Sequence, residues 1–437
     1  MQRGRILRLA LVASLVVLAG CTGAFAPTDS DSDDLALDDD LGTVEGVAHD
    51  DELDISADDG FNGTERELLV TRAMARIEAI RGLPFERDVD VEVISRAEYR
   101  RSRSDGSTDE THAAWNNQVW RAKFLVGADR DIETVFNETL GAAVLGFYDV
   151  GEDRIVLVSD ADEPTISKET LVHELVHALQ DQHFGLDDRP ETQDAQLARR
   201  GVVEGEAELV PDLYFERCGE EWSCIRPPTP ASSGSDTANI GVLRVLSHPY
   251  TSGPDFVATI RDRGGWAAVD DLYRNLPVST TQILHPEKYP DERPVNVTVP
   301  DRSSSAWSRF DHDPVGERVG EASLYVMFRD NDLIQPEGDD PYSHPATEGW
   351  RGDKLVPYRR GDDFGYVWEL EWHSPDDAAV FAEHYRDLLD THDAVERGTD
   401  AFLIPDGPFA GAYRVSQEGT TVRIVNGPTV AALSAIH

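Results

Sequence analysis

The pattern of apolar and polar positions predicts helices and strands in mixed order along most of the chain. VDVEVIS at 89–95 alternates as a half-buried strand does, and two apolar runs around a turn within 141–160 indicate a hairpin. Asn62 and Gly82 are the expected cap residues of the first helix. Helical spacing occurs in five stretches: 62–82, 112–124, 131–141, 167–184 and 192–216. Together these elements predict an α+β fold.

The last part of the chain predicts a separate α+β subdomain. A strand-like run (GYVWELEWH), an amphipathic helix capped by Ser374 and a hairpin (YRVSQEGTTVRIV) follow one another between residues 361 and 437. Short helices are expected over 238–276. The predicted folded body therefore consists of residues 60–360 followed by a β-α-β-β unit at 361–437.

The first 21 residues predict an export signal. Arg3, Arg5 and Arg8 precede an apolar run that is short for a membrane span. The run ends in Leu-Ala-Gly-Cys, which resembles the lipobox of bacterial and archaeal lipoproteins. That resemblance implies cleavage before Cys21, which then carries the lipid and anchors the protein at the extracellular face of the cell membrane. The alternative is an ordinary signal peptide, which also predicts an exported protein.

The stretch that follows and the overall charge narrow the class of protein. Residues 22–59 are rich in Asp, Ser and Gly, which predicts an acidic, disordered tether. The chain has 83 acidic against 40 basic residues, a formal charge of -43, and few of the basic residues are lysines. This excess resembles the proteomes of salt-in halophiles, in which salt screens the self-repulsion. It argues against a nucleic-acid partner, which needs a basic surface.

Cysteines and sequons add candidate covalent features. The chain has three cysteines, and Cys218 and Cys224 lie close together in RCGEEWSC. Outside the cell, such a pair is more typical of a local disulfide than of a redox or metal site. The sequons at Asn62, Asn137 and Asn296 are candidates for surface glycosylation.

The stretch ETLVHELVHALQDQHF at 169–184 carries the strongest chemical signal. On a helix, His173 and His177 lie one turn apart on one face, so their ring nitrogens can converge on one ion. Glu174 follows the first histidine and can reach a water bound to that ion. Apolar residues surround these groups, and a metal would satisfy both imidazoles there. Two packing histidines without a metal are the alternative interpretation.

A third ligand is expected on the next helix, ARRGVVEGEAELV. A catalytic zinc usually takes three protein ligands and one water. A returning helix would bring Glu204 beside the histidines, with Glu206 as the alternative ligand. Glu208, one turn after Glu204, would accept the second N–H of a ligand histidine and fix its tautomer. The sequence therefore predicts a Zn²⁺ site on two helices.

HELVH followed by EGEAE resembles the gluzincin clan of zinc metallopeptidases. The resemblance implies a metallopeptidase-like domain over 60–360, formed by a small sheet and the zinc-binding helices. In that clan the residues equivalent to Glu174, Glu204 and Glu208 are the general base, the third ligand and its buttress. An edge strand of the sheet before the active-site helix binds extended protein or peptide substrate.

The gluzincin resemblance also implies an oxyanion donor beyond the zinc helices. In STTQILHPEKY, His285 is the expected donor, and Tyr289 and Tyr214 are the alternatives. The chain contains no G-x-S-x-G, P-loop, G-x-G-x-x-G or C-x-x-C pattern.

Several segments resemble a family of exported prokaryotic proteins, best matched by surface lipoproteins of haloarchaea. They are GFYDVGEDRI, HELVHALQDQHF, VEGEAE, GGWAAVDDLYRNLPVSTTQILHPEKY and ATEGWRGDKLVPY. Two functions follow as hypotheses: a membrane-anchored extracellular zinc peptidase, and a non-catalytic binding or structural lipoprotein on the same scaffold. The presence of Glu174, which a scaffold would not need as a ligand, favours the peptidase.

Overall fold

The computed structural model gives a mixed α+β architecture, which confirms the predicted fold class. Much of the predicted signal peptide and tether, including Cys21, lies outside the described residues. Within the part of the chain that is described, no helix is both long and apolar enough to cross a membrane. The described residues are 11–13, 41–55, 62–104, 109–140, 144–160, 168–225, 238–336 and 341–437.

Helices and short strands are interspersed in the first half, and strands predominate near the end. The helices are α1 (Gly63–Arg81), α2 (Arg96–Ser104), α3 (Glu110–Ala122), α4 (Ile132–Leu140), α5 (Lys168–Phe184), α6 (Gln193–Glu216), α7 (Ile240–Arg274), α8 (Thr280–Leu284), α9 (Glu321–Asp330), α10 (Pro375–Thr391) and α11 (Val430–Ile436). The strands are β1 (Leu11–Ala13), β2 (Thr43–Val44), β3 (Val47–Ala48), β4 (Asp90–Ile94), β5 (Gly146–Asp149), β6 (Arg154–Val158), β7 (Ser308–Arg309), β8 (Trp350–Arg360), β9 (Asp363–Trp372), β10 (Val395–Glu396), β11 (Ala401–Ile404), β12 (Gly411–Glu418) and β13 (Thr421–Gly427).

A small sheet packs against the helix that carries the two histidines. Its strand order is β1-β5-β6-β4, with β4 and β6 parallel and the other pairs antiparallel. Leu175 and Val176 of α5 share one buried cluster with Tyr148 of β5 and Leu157 of β6. The hairpin expected within 141–160 is confirmed as β5 and β6, and it precedes α5 as predicted.

Helix α1 packs on both α5 and α6 and has the predicted caps. The Asn62 side chain accepts a hydrogen bond from the Glu65 backbone N–H, and the Glu65 carboxylate accepts one from the Asn62 N–H. At the other end Gly82 adopts a left-handed conformation with φ of 72°. These signals are local, so the sequence alone is enough to locate the helix.

The described part of the predicted tether is folded in the structure. Residues 41–55 contain the β2–β3 hairpin, which packs on α1 and is not disordered. The Gly42 N–H donates to the buried carboxylate of Glu78, and Arg76 donates to the His49 carbonyl. The prediction of disorder is wrong here because buried polar side chains of α1 satisfy the backbone of an acidic, apolar-poor segment.

Helices α6 and α7 approach closely where glycine faces glycine. A Cβ added to Gly205 would lie 2.4 Å from backbone atoms of Gly253, and one added to Gly253 would lie 2.4 Å from the Gly201 carbonyl oxygen. Backbone atoms cannot rotate away as a flexible side chain can. Glycine at these positions therefore allows α7 to pack directly on the helix that carries Glu204.

A Gly205→Ala variant is expected to lose about 1–3 kcal/mol of unfolding free energy, because the added methyl group overpacks the α6–α7 contact. Chemical denaturation in high salt measures this loss. Gly63→Ala is the control, since a Cβ at Gly63 on the first turn of α1 meets nothing within 4 Å. Equal stability of the Gly205→Ala and wild-type proteins would contradict the close approach.

The C-terminal half forms a seven-stranded antiparallel sheet of order β10-β11-β12-β13-β9-β8-β7. Trp368 and Leu370 of β9 pack in the cluster that includes α10, whereas Val367, the residue just before Trp368, packs in the cluster that includes α11. Because alternate residues of a strand face opposite sides, the two helices cover opposite faces of the sheet.

The C-terminal unit begins earlier than the sequence predicts. Strand β8 pairs with β9 along its length, although the predicted boundary separates them at residue 361. Pro357 lies inside β8, and most of the strand is buried on both faces, so it lacks the alternation that marks a half-buried strand. The strand, helix and hairpin predicted after this point correspond to β9, α10, β12 and β13.

Buried polar contacts join the first turn of α6 to the segment that precedes α9. Asp194 is fully buried; its Oδ1 accepts hydrogen bonds from the Thr280 N–H and hydroxyl, and its Oδ2 accepts one from Arg318 Nε at 2.8 Å. The Gln193 N–H donates to Glu317 Oε1 at 2.8 Å. The start of the helix that carries Glu204 is thus held by residues outside the predicted zinc helices.

The predicted disulfide and the three sequon asparagines lie within the described residues. Cys218 and Cys224 form a disulfide just after α6, which is the pairing that the sequence indicates. Asn62 caps α1, Asn137 is exposed on α4, and Asn296 is exposed in an extended segment before β7. All three asparagines are therefore at the surface, and glycosylation there stays a prediction.

Candidate metal centre

Two histidines of α5 and one glutamate of α6 form a buried group. His173 and His177 are separated by one helical turn, and α6 runs back past them so that Glu204 faces both rings. His177 and Glu204 are fully buried, and His173 is nearly so. Among the described residues, these three side chains form a group that could hold a metal ion.

The spacing of the three donor atoms fits a small tetrahedral ion. His173 Nε2 and His177 Nε2 are 3.1 Å apart, and Glu204 Oε2 lies 3.4 Å from the first and 3.3 Å from the second. For metal–ligand bonds of about 2.0–2.1 Å, two ligands of a tetrahedron are about 3.3 Å apart. Three ligand atoms with this spacing would occupy one face of such a tetrahedron, and a metal held by them would have a further position for a water or a substrate oxygen.

The chemistry of the group also favours a bound cation. Glu204 Oε2 is buried and makes no hydrogen bond of good geometry, although both imidazoles lie within 3.4 Å of it. A buried carboxylate oxygen without a hydrogen bond is costly unless a positive charge neutralises it. Two imidazole nitrogens and one carboxylate oxygen are a common ligand set of metal sites.

The pKa shifts of Glu204 and His173 indicate the same need for positive charge. Burial raises the pKa of Glu204, but His177, His173 and Arg200 outweigh burial and hold the pKa well below its usual value. Burial lowers the pKa of His173, but the carboxylates of Glu204 and Glu208 outweigh it and hold the pKa well above the usual value. The Glu204 carboxylate is therefore stabilised by positive charge at the imidazoles, which a proton or a metal ion can supply.

Each histidine directs its other ring nitrogen to an oxygen acceptor. His173 Nδ1 lies 3.2 Å from Glu208 Oε1, the contact that the sequence predicts for Glu208. His177 Nδ1 lies 2.8 Å from Gln180 Oε1, a contact that is not predicted from the sequence. With hydrogens on both Nδ1 atoms, the lone pairs of both Nε2 atoms face Glu204 Oε2.

Glu174 is the buried acid next to these ligands. It follows His173 on α5 and has no exposed surface. Its negative charge is among those that raise the pKa of the neighbouring His173. This position is compatible with the role of general base that the sequence assigns to it.

Tyr250 and Arg200 also lie at the site, although neither is predicted from the sequence. The Tyr250 ring on α7 is nearly parallel to the His173 ring, with centroids 6.3 Å apart. Arg200 donates to the Tyr250 hydroxyl oxygen at 3.3 Å and to Glu204 Oε1 at 3.4 Å. The helical spacing of Arg200 four residues before Glu204 is a signal that could have identified it; Tyr250 depends on how α7 packs.

The three predicted oxyanion donors contact other residues in the described part of the chain. His285 Nε2 lies 2.9 Å from Glu321 Oε1, and this contact outweighs burial and raises the pKa of His285. The Tyr289 hydroxyl donates to the Asn275 carbonyl, and the Tyr214 oxygen accepts a hydrogen bond from Arg76. No hydrogen bond, ion pair or ring contact described for these three residues joins them to the metal group.

Glu206, the alternative third ligand, points away from the group. Its carboxylate accepts hydrogen bonds from Arg81, Tyr273 and Gln180. Glu206 is also buried, but its environment differs from that of Glu204, which lies two residues before it on the same helix. Glu204 is therefore the glutamate that the structure brings to the histidines.

The C-terminal sheet lies in a region of the chain that matches a protein family. Residues 308–437 match a family described as a domain of unknown function (DUF8575). The matched residues begin with β7 and extend to the end of the chain, so they do not include α5 or α6. No curated protein and no solved structure matches this chain.

Proposed function

We propose that this protein is a membrane-anchored, extracellular zinc peptidase of the gluzincin type. The observation that carries the proposal is the tetrahedral spacing of His173 Nε2, His177 Nε2 and Glu204 Oε2, with Glu174 buried beside His173. The ligand set and the expected bond lengths suit Zn²⁺. Hydrolysis also requires a general base that is not one of the three ligands, and we assign this role to Glu174.

The residues around the group have chemical roles in peptide hydrolysis. Bound zinc would supply Lewis acidity, lowering the pKa of a coordinated water to about 7 and polarising the scissile carbonyl. Glu174 would accept the proton of the attacking water and pass it to the leaving amide nitrogen. The developing negative oxygen needs a hydrogen-bond donor nearby.

We assign the oxyanion donor to Tyr250 in preference to His285. The Tyr250 ring stacks near the His173 ring, and the Tyr250 oxygen accepts a hydrogen bond from Arg200. A phenol that accepts through its oxygen can use its own hydrogen as a donor. His285 instead pairs with Glu321. In this arrangement Arg200 would hold Tyr250 in position and add positive charge near the reacting carbonyl.

The proposed substrate is an extended protein or peptide segment. Strand β5 pairs with β6 along one edge and with β1 along the other. Its backbone therefore accepts an antiparallel partner along the β1 edge. Removal of a signal peptide before Cys21 would leave β5 as the edge strand. An extended substrate could then add to this edge through backbone hydrogen bonds.

The proposed location is the surface of a haloarchaeal cell. The basic and apolar N-terminal segment, the lipobox-like Leu-Ala-Gly-Cys and the disulfide support export and lipid anchoring. The formal charge of -43 supports a solvent of high salt.

The test measures metal content and peptide cleavage on the same purified protein in high salt. One zinc per chain is expected, together with cleavage of casein or a peptide library that stops on chelation and returns when zinc is added. One zinc per chain without cleavage would contradict the peptidase and support the non-catalytic surface lipoprotein. Absence of bound metal after exposure to zinc would contradict the site itself.

A further inference from the structure

The Gln180 side chain is held in one orientation by its neighbours. Its Nε2 donates to the Val203 carbonyl at 2.9 Å and lies 3.1 Å from Glu206 Oε2. Both neighbours can only accept hydrogen bonds, so the amide nitrogen has to face them. Its Oε1 is consequently directed at His177 Nδ1, 2.8 Å away.

Glu206 is the anchor of this arrangement. It is buried, and its carboxylate is contacted from three other helices, by Arg81 of α1, Tyr273 of α7 and Gln180 of α5. The Arg81 guanidinium balances its charge and also pairs with Asp270. A carboxylate with so many fixed donors has little freedom to rotate, and this fixes the amide that it contacts.

We propose that Gln180 and Glu206 are positioning residues that fix His177 as a metal ligand without touching the ion. The inference rests on the metal site of the proposed function. Because Gln180 Oε1 can only accept, the hydrogen of His177 stays on Nδ1, and the Nε2 lone pair faces Glu204 and His173. Glu206 acts one step further out, since it determines which way the Gln180 amide faces.

This chain of hydrogen bonds gives the glutamates of EGEAE three different roles. Glu204 supplies a ligand oxygen, Glu206 orients the acceptor for His177, and Glu208 is itself the acceptor for His173. The Glu208 side chain is about one-third exposed, whereas the groups that hold His177 are buried. The side chains that orient His177 are therefore more completely buried than the one that orients His173.

The first test requires no substitution. In wild-type protein labelled with ¹⁵N at histidine and freed of metal, NMR couplings between ring nitrogens and ring protons report the tautomer of His177. The proposal predicts a hydrogen on Nδ1. A neutral His177 with its hydrogen on Nε2 would overturn the proposal, whether or not the protein cleaves any peptide.

The second test compares two glutamine variants of the same helix. Gln180→Leu removes the acceptor for His177 and is expected to weaken zinc binding by about 10–100-fold, measured by competition with a chromophoric chelator. Gln182→Leu is the control, because Gln182 bonds the backbone of residues 86 and 87 and not a ligand. Unchanged affinity in Gln180→Leu, or an equal loss in both variants, would overturn the positioning role.

These measurements separate the inference from the proposed function. Wild-type protein that binds no zinc would contradict both. Zinc binding that depends on Gln180 without any peptide cleavage would support the positioning role and contradict the peptidase. If Gln180→Leu does not fold, the tautomer of His177 in the wild type still decides the inference.

Discussion

A Glu174→Gln variant is expected to keep one zinc per chain and to lose peptide hydrolysis by about 10²–10⁴-fold in kcat. Glutamine has nearly the shape of glutamate, but its amide cannot accept the proton of the attacking water. Glu174 is not one of the three residues that could hold the metal, so metal binding should be retained. The measurements are kcat and KM on a cleaved peptide and the metal content of the same sample.

Two further variants make the Glu174 result specific. Glu169→Gln changes the same residue type at an exposed position on the first turn of α5 and should retain activity. In the same assay, Tyr250→Phe removes the proposed oxyanion donor and is expected to lower kcat by about 10²-fold with zinc retained. Undiminished hydrolysis by Glu174→Gln would exclude it as the general base.

A Glu204→Gln variant is expected to lose bound zinc and the stability that zinc confers. The neutral amide is a much poorer ligand than a carboxylate, and the two imidazoles alone leave the site with too few ligands. At a free zinc concentration of 1,000 times the dissociation constant, binding stabilises the native state by about 4 kcal/mol. The wild-type protein should therefore unfold at lower denaturant concentration when a chelator is present, whereas the variant should respond little.

The control for Glu204→Gln lies on the same helix. Glu216 is exposed at the end of α6, and Glu216→Gln should keep both the metal and the response to the chelator. Metal analysis and denaturation curves with and without chelator distinguish the two variants. One zinc per chain in Glu204→Gln would rule out Glu204 as an essential ligand.

The parts of the fold that the sequence predicts well are those with strong local signals. Helix α1 is located to within a residue because Asn62 and Gly82 cap it. Helices α5 and α6 are predicted with similar accuracy, and this places the two histidines and Glu204 on the correct elements. A ligand pair one helical turn apart needs no knowledge of the rest of the fold.

The parts that the sequence does not predict depend on contacts between distant segments. Helix α7 continues through Pro249 and Pro254, which locally favour a break, because its packing on α6 and α9 compensates. Tyr250 reaches His173 only through that packing, so no local pattern identifies it. Strand β8 is hidden by Pro357 and by burial on both faces.

The hydrogen bonds of Asp194 have a consequence for how this protein can evolve. Asp194 and Glu204 lie on one rigid helix, about 15 Å apart along its axis, and Arg318 belongs to the region that matches the uncharacterised family. A lineage that loses Arg318 retains a buried acid without its cationic partner at the start of the ligand helix. Positions 194 and 318 should therefore change together, and the C-terminal region should not be exchanged between proteins without its matching helix.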